Sequence, residues 1–86
     1  MNRRTKITYG QLDKVLRSFG FSRTVFDRDG LGLRYEHKDT GALLLLPALD
    51  ETEYVYDHHM VAARSMLANF GVADVSVFES KLQRAG

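Results

Sequence analysis

The sequence predicts an α+β fold in which a three-stranded antiparallel meander has helices packed on one face. Two turn signals, Asp29-Gly30 and Lys38-Asp39-Thr40-Gly41, divide the stretch 23–46 into three short strands. Apolar residues at helical spacing precede and follow this stretch, which gives the order α-β-β-β-α-α. The 86 residues make a single domain, 1–86, and its helices 1 and 2 must cover the same sheet face to bury their apolar stripes.

The first helix has clear signals at both ends. Thr8 is the predicted N-cap, and Gln11 follows three residues later, which is the spacing of a capping box. Gly20 is expected to end the helix in the left-handed conformation. The apolar stripe between these ends consists of Leu12, Val15, Leu16 and Phe19.

The three strands are predicted at about 23–28, 31–37 and 42–46. Asp29-Gly30 is typical of a two-residue type I′ turn, and Gly41 suits a left-handed position in the second turn. Pro47 ends the third strand because it has no backbone N–H to donate. Alternation along the middle strand places one set of side chains on one face, namely Leu33, Tyr35 and His37, and Arg34 and Glu36 on the other.

The second half of the chain is predicted to be helical after an acidic loop at 48–53. A helix over about 55–70 ends at Gly71, and a short last helix begins near Asp74 or Ser76. Ser76 and Glu79 have capping-box spacing. The apolar face of the longer helix comprises Tyr56, His59, Met60, Ala63, Leu67 and Phe70.

Composition excludes several classes of site. The chain has no cysteine, so it has no disulfide and no thiolate nucleophile or zinc ligand. The sequence predicts neither a secretory signal nor a membrane-spanning run, and we expect a cytoplasmic protein without a cofactor. Net charge is +1, but residues 1–47 contain nine Lys or Arg and five Asp or Glu, whereas 48–86 contain three and six. This asymmetry would direct an acidic partner to the first half.

Two histidines are candidate catalytic groups. His37 near the end of the middle strand, or His59 on the long helix, has the chemistry of a general acid or base in RNA cleavage. Glu36 is a poor catalytic partner for His37 because it lies on the opposite strand face. His58 and His59 are adjacent, and neighbours on a helix point about 100° apart, so no metal site is predicted.

Basic side chains in the first half are candidates for phosphate contacts with RNA. They are Arg3, Arg4, Lys6, Arg17, Arg23, Arg28 and Lys38. The alternative is an ordinary solvated polar surface, because the phenylalanines fit core positions and leave few aromatic rings for base stacking.

The third strand, Ala-Leu-Leu-Leu-Leu, has leucines on both faces. Leu43 and Leu45 point to one face, and Leu44 and Leu46 to the other. The predicted helices cover only one face, so the other pair should meet a partner, or the last helix should wrap around it. Alternation alone leaves open which pair is buried, and we take Leu44 and Leu46 as the predicted interface pair.

Four stretches of the chain resemble the HicA toxin family, also called YcfA-like. They are LDKVLRSFGF, HKDTGALLLLP, RSMLANFGV and FESKL, within roughly residues 9 to 82. The resemblance implies a double-stranded-RNA-binding-domain-like fold and an mRNA-cleaving toxin that is inhibited by a HicB antitoxin. In that family the catalytic histidine belongs to a Gly-Ser-His motif at the start of the middle strand.

This chain departs from the family at the catalytic motif. Gly30-Leu31-Gly32 stands where the family has Gly-Ser-His, and the loop after Pro47 is acidic instead of basic. The leading prediction is therefore a non-catalytic HicA-like module that binds another copy of itself, another protein, or RNA, in that order. The alternatives are a divergent ribonuclease that uses His37 or His59, and a small structural or adaptor protein that shares only the fold.

Overall fold

A computed structural model of the protein describes residues 3–25 and 32–85. The elements in chain order are β1 Arg4–Thr8, α1 Tyr9–Ser18, β2 Ser22–Val25, β3 Gly32–His37, β4 Ala42–Pro47, β5 Tyr54–Tyr56, α2 Asp57–Asn69 and α3 Val75–Arg84. The predicted α+β class and the three-stranded antiparallel sheet are confirmed, and the sheet has the order β2-β3-β4. The predicted Asp29-Gly30 turn and the candidate Arg28 lie outside the described residues.

The β3–β4 hairpin forms as the turn signal predicts. His37 pairs with Ala42 across four turn residues, and Gly41 has a φ of +75°. Tyr35, in the middle of the sheet, is opposite Arg23 on β2 and Leu44 on β4. This register determines which side chains share each face.

Both predicted ends of α1 are confirmed. The Thr8 hydroxyl accepts from the Gln11 N–H at 3.2 Å, and the Thr8 N–H donates to Gln11 Oε1 at 2.8 Å, so the capping box is complete. Gly20 has a φ of +97° and its N–H donates to the Arg17 carbonyl at 3.0 Å, while the Phe21 N–H donates to the Leu16 carbonyl at 3.2 Å. These two bonds form a Schellman motif.

A second, two-stranded sheet was not predicted. It pairs β1 with β5 in antiparallel orientation, with Arg4 opposite Tyr56 and Thr8 opposite Tyr54. Consequently α2 begins at Asp57, two residues after the predicted start at 55. β5 is only three residues long and its partner is about 50 positions away, so no local turn or periodicity signals the pairing.

The two helix predictions for the C-terminal part were partly wrong. Phe70 is 48% exposed because it is the C-cap of α2, where the chain leaves the helix. Ser76 lies inside α3, which begins at Val75, so the Ser76–Glu79 capping box does not form; Glu79 instead pairs with Arg64. α3 packs against α1 and α2.

The core lies between the helices and one face of the main sheet. Tyr35, Leu44 and Leu46 point into it, together with apolar side chains of the helices, among them Leu12, Leu16, Met60, Leu67, Phe78 and Leu82. The assignment of Leu44 and Leu46 to an interface was therefore wrong. They are 6% and 4% exposed because they pair with Tyr35 and Leu33 on the helix-covered face.

Candidate functional site

His37 is held by hydrogen bonds on both ring nitrogens. Nε2 lies 3.0 Å from the carbonyl oxygen of Phe19, the C-cap of α1, and Nδ1 lies 2.9 Å from Thr40 Oγ1. A carbonyl oxygen only accepts, so Nε2 donates, and in the neutral ring Nδ1 accepts from the Thr40 hydroxyl. The Thr40 oxygen in turn accepts from the Ala42 N–H at 3.2 Å. His37 therefore links the end of α1 to the β3–β4 turn.

The ring of His37 also packs against an aromatic side chain. Its centroid is 5.1 Å from that of Phe21, which is buried. A general base needs a ring nitrogen that is available to take a proton from substrate. The contacts of His37 support a structural role for this imidazole.

His59 belongs to a small polar cluster at the junction of β5 and α2. Its Nδ1 lies 2.7 Å from the hydroxyl of Tyr9, and that hydroxyl oxygen accepts from the Tyr56 N–H at 3.3 Å. The direction of the Tyr9–His59 bond depends on which ring nitrogen of His59 carries the proton. Burial, with a smaller effect of neighbouring His58, lowers the pKa of His59, and burial raises the pKa of Tyr9. Both shifts favour the neutral form of the two side chains.

His58 lies beside this cluster on the exposed side of α2. Its ring stacks on Tyr56, with centroids 5.6 Å apart and an interplanar angle of 23°. The rings of His58 and His59 are 4.1 Å apart. Within residues 3–25 and 32–85 no group of three His, Asp or Glu side chains is arranged to hold a metal ion.

Three of the predicted RNA-contacting arginines are engaged within the chain. Arg17 and Arg23 both pair with Asp13 at 3.2 Å, and the Tyr35 hydroxyl donates to the same carboxylate at 2.7 Å. Burial, together with this carboxylate, raises the pKa of Tyr35. Asp13 is thus a centre that joins α1 to β2 and β3.

The third of these arginines is Arg4 on β1. It pairs with Glu53, its guanidinium donates to the Tyr56 hydroxyl at 2.6 Å, and its central carbon lies 4.1 Å from the centroid of the Tyr56 ring. Arg3 immediately precedes β1, Lys6 lies on β1 and Lys38 lies in the β3–β4 turn, and all three are exposed. Within the described residues, the predicted basic side chains are distributed over β1, α1, β2 and the β3–β4 turn.

Three other basic side chains, absent from the prediction, do come together. Lys14 on α1 and Lys81 and Arg84 on α3 line a groove of about 300 Å³ with Ser18. Lys81 Nζ donates to the Ser18 hydroxyl at 3.1 Å and lies 4.7 Å from the centroid of the Phe19 ring. The packing of α3 on α1 creates this arrangement, and no spacing within either helix predicts it. The last turn of α3 also favours basic residues for its own dipole.

The most distinctive surface is the face of the main sheet opposite the helices, which we call the outer sheet face. Its members are Ser22, Thr24, Arg34, Glu36, Leu43 and Leu45, and all six side chains are exposed. Leu43 and Leu45 are 42% and 51% exposed, side by side with the Arg34–Glu36 pair of β3. The solvent-facing side of an antiparallel sheet usually has polar side chains, so two exposed leucines there are unusual.

No protein-family model, curated protein or solved structure matches this chain. The resemblance to the HicA family stays a prediction from the sequence. In the part of the chain that the structure describes, no helix combines the length and the apolar character needed to cross a membrane.

Proposed function

We propose that this chain is a non-catalytic, HicA-like binding module that associates with a second copy of itself through the outer sheet face. The observation that supports this function is the exposure of Leu43 and Leu45 on the sheet face that the helices leave open. A two-fold dimer presents the same patch twice and requires no partner of another sequence.

The charges of the outer sheet face favour a second copy as the occupant. Arg34 and Glu36 are neighbours on this face, 3.5 Å apart, and both are about half exposed. A surface with one positive and one negative group beside an apolar pair is complementary to itself. Complementary charges also reject partners that place like charges opposite each other.

The two exposed leucines supply only part of the free energy that a dimer needs. Burying the exposed half of a leucine side chain is worth roughly 1 kcal/mol, so the two leucines of each copy contribute about 4 kcal/mol to a dimer. The entropic cost of association is at least about 4 kcal/mol, and the remaining contacts of the face must supply the net affinity. The leucines alone thus only offset that cost, and a dissociation constant of about 100 μM needs roughly 5 kcal/mol from the other contacts of the face. We expect a dimer no tighter than this.

The histidine contacts support binding over catalysis. His37 is engaged at both nitrogens, and the Nδ1 of His59 is hydrogen-bonded to the Tyr9 hydroxyl. The Gly-Ser-His motif of the HicA family is absent, so the ribonuclease alternative lacks an imidazole at the family's catalytic position.

Light scattering across a concentration series tests the proposal. Wild-type mass should rise from that of a monomer at about 10 μM towards twice that value near 1 mM. The double variant Leu43→Lys, Leu45→Lys should stay monomeric with an unchanged circular dichroism spectrum, because it alters only exposed positions. The matched control is Val61→Lys with Val75→Lys, which changes two exposed valines on α2 and α3 and should dimerise like the wild type.

Two results would overturn this function. One is a wild-type protein that stays monomeric at about 1 mM. The other is a dimer that the leucine variant does not weaken, because association then uses another surface.

A further inference from the structure

The outer sheet face is arranged as two rows that run across the strands. Cross-strand pairing places Ser22, Glu36 and Leu43 in one row. The other row consists of Thr24, Arg34 and Leu45. Each row has a small hydroxyl side chain on β2, a charge on β3 and a leucine on β4. The rows differ only in the sign of the charge and in one methyl group of the hydroxyl residue.

From this arrangement we infer that the second copy docks about a two-fold axis that runs across the strands, between the two rows. The inference rests on the proposed self-association and specifies its geometry. Rotation about this axis places each strand over its own counterpart and exchanges the rows. Leu43 then faces Leu45 of the second copy, and Arg34 faces Glu36 of the second copy.

Other two-fold axes in the plane of the face bring fewer leucines into contact with leucines or fewer charges opposite an opposite charge. An axis along β3 places Arg34 opposite Arg34 and the leucines opposite Ser22 and Thr24. Like charges directly opposite each other are destabilising. An axis along β4 places each leucine opposite itself and leaves Arg34 and Glu36 without a facing charge.

The Arg34–Glu36 pair within one chain does not compete strongly with pairing across the dimer. It is an exposed pair, with 45% and 48% of the side chains accessible. Such surface pairs contribute little to stability. Each charge can therefore turn to the second copy, where the leucine contacts exclude part of the water and strengthen the attraction.

Thiol cross-linking determines the orientation, since the chain has no cysteine of its own. Leu43→Cys and Leu45→Cys are prepared separately and treated with a short bis-maleimide, alone and mixed. Facing sheets lie about 10 Å apart, beyond the roughly 4.4–6.8 Å between Cα atoms that a disulfide spans. On this geometry the facing 43–45 pair lies about 10 Å apart and the 43–43 or 45–45 pair about 12 Å apart, because two positions along one strand are about 6.8 Å apart. A reagent that spans no more than about 10 Å should therefore give more cross-linked dimer in the mixture than with either variant alone. Val61→Cys on α2 is the control and should not cross-link when mixed with either.

Charge exchange tests the facing pairs independently. Arg34→Glu alone places two acidic groups opposite each other across the proposed axis, and Glu36→Arg alone does the same with basic groups. Each should weaken the dimer roughly tenfold or more, and the combined variant R34E/E36R should recover wild-type affinity. Lys38→Glu changes an exposed charge in the β3–β4 turn and should leave the affinity unchanged.

The outcomes separate this geometry from the proposed function. A wild type that dimerises, with Leu43→Cys cross-linking at least as efficiently alone as in the mixture, overturns the axis and leaves self-association intact. Charge variants that fail to weaken the dimer, or a combined variant that does not recover it, also overturn the axis. A wild type that stays monomeric near 1 mM overturns both.

Discussion

His37 connects the end of α1 to the β3–β4 turn through its two ring nitrogens. Sequence reasoning identified it as a catalytic candidate and found that it shares a face with Tyr35. It did not find the main partner, because the Phe19 carbonyl is 18 positions away and backbone acceptors leave no signal in side-chain spacing. His37 therefore stabilises the packing of α1 against the β3–β4 turn. This structural role can be distinguished from a catalytic role by mutation.

We predict that His37→Ala lowers the free energy of unfolding by about 1–2 kcal/mol, because the Phe19 carbonyl and the Thr40 hydroxyl lose their partner. Urea unfolding measures the loss, and His58→Ala, at an exposed position, should change it by less than about 0.5 kcal/mol. Purified wild-type protein should leave RNA intact. RNA cleavage that disappears in His37→Ala would contradict the structural role.

A second prediction at this scale concerns pH. Burial lowers the pKa of His59 in the folded state below the value of about 6.5 that it has when unfolded. The unfolded chain then binds more protons as pH falls through about 6.5, so His59 lowers stability in that range. His59→Asn keeps a side chain that can hydrogen-bond to the Tyr9 hydroxyl but does not titrate. The stability of the wild type relative to this variant should fall between pH 7 and 5, and a pH-independent difference would refute the assignment.

At the scale of elements, the sequence predicted correctly those helix ends and turns that neighbouring residues determine. The capping box and Gly20 delimit α1, and the β3–β4 turn determines its hairpin. The β1–β5 sheet was missed because its register depends on contacts between distant segments. These contacts also hold the loop before β5 against α1, where the N–H groups of Tyr9 and Gly10 donate to the Glu53 and Glu51 carbonyls at 2.9 and 3.0 Å.

This loop contact predicts an unusual effect of a helix glycine. A Cβ at Gly10 would lie 3.2 Å from both the Cβ and the carbonyl oxygen of Glu51. Helix propensity favours alanine over glycine by roughly 1 kcal/mol. The Glu51 carbonyl accepts from the Gly10 N–H and has little freedom to retreat, so we predict that Gly10→Ala destabilises the protein. Thermal unfolding tests this prediction. A higher unfolding temperature for Gly10→Ala than for the wild type would contradict it and show that the loop at Glu51 moves to accommodate the added methyl group.

At the scale of the whole molecule, the sequence indicated an open sheet face but not which leucines occupy it. Leucines occupy both the odd-numbered and the even-numbered positions from 43 to 46 of β4, so the hydrophobic pattern does not show which face of the strand is buried. The pairing with β3 determines which leucines are buried. Leu44 and Leu46 lie beside Tyr35 and Leu33 on the face that the helices cover. The basic groove of α1 and α3 was missed for a similar reason, since it exists only when the two helices pack.

Self-association through the outer sheet face is tested most directly by the amide NMR spectrum of ¹⁵N-labelled wild-type protein over a dilution series. From about 1 mM to 10 μM, we predict that the amide signals of Arg34, Glu36, Leu43 and Leu45 shift together along one saturating curve. Those of Lys14, Lys81 and Arg84, which line the groove on the helix side, should stay fixed. Spectra that do not change with concentration, or shifts confined to the helices, would contradict self-association through this face.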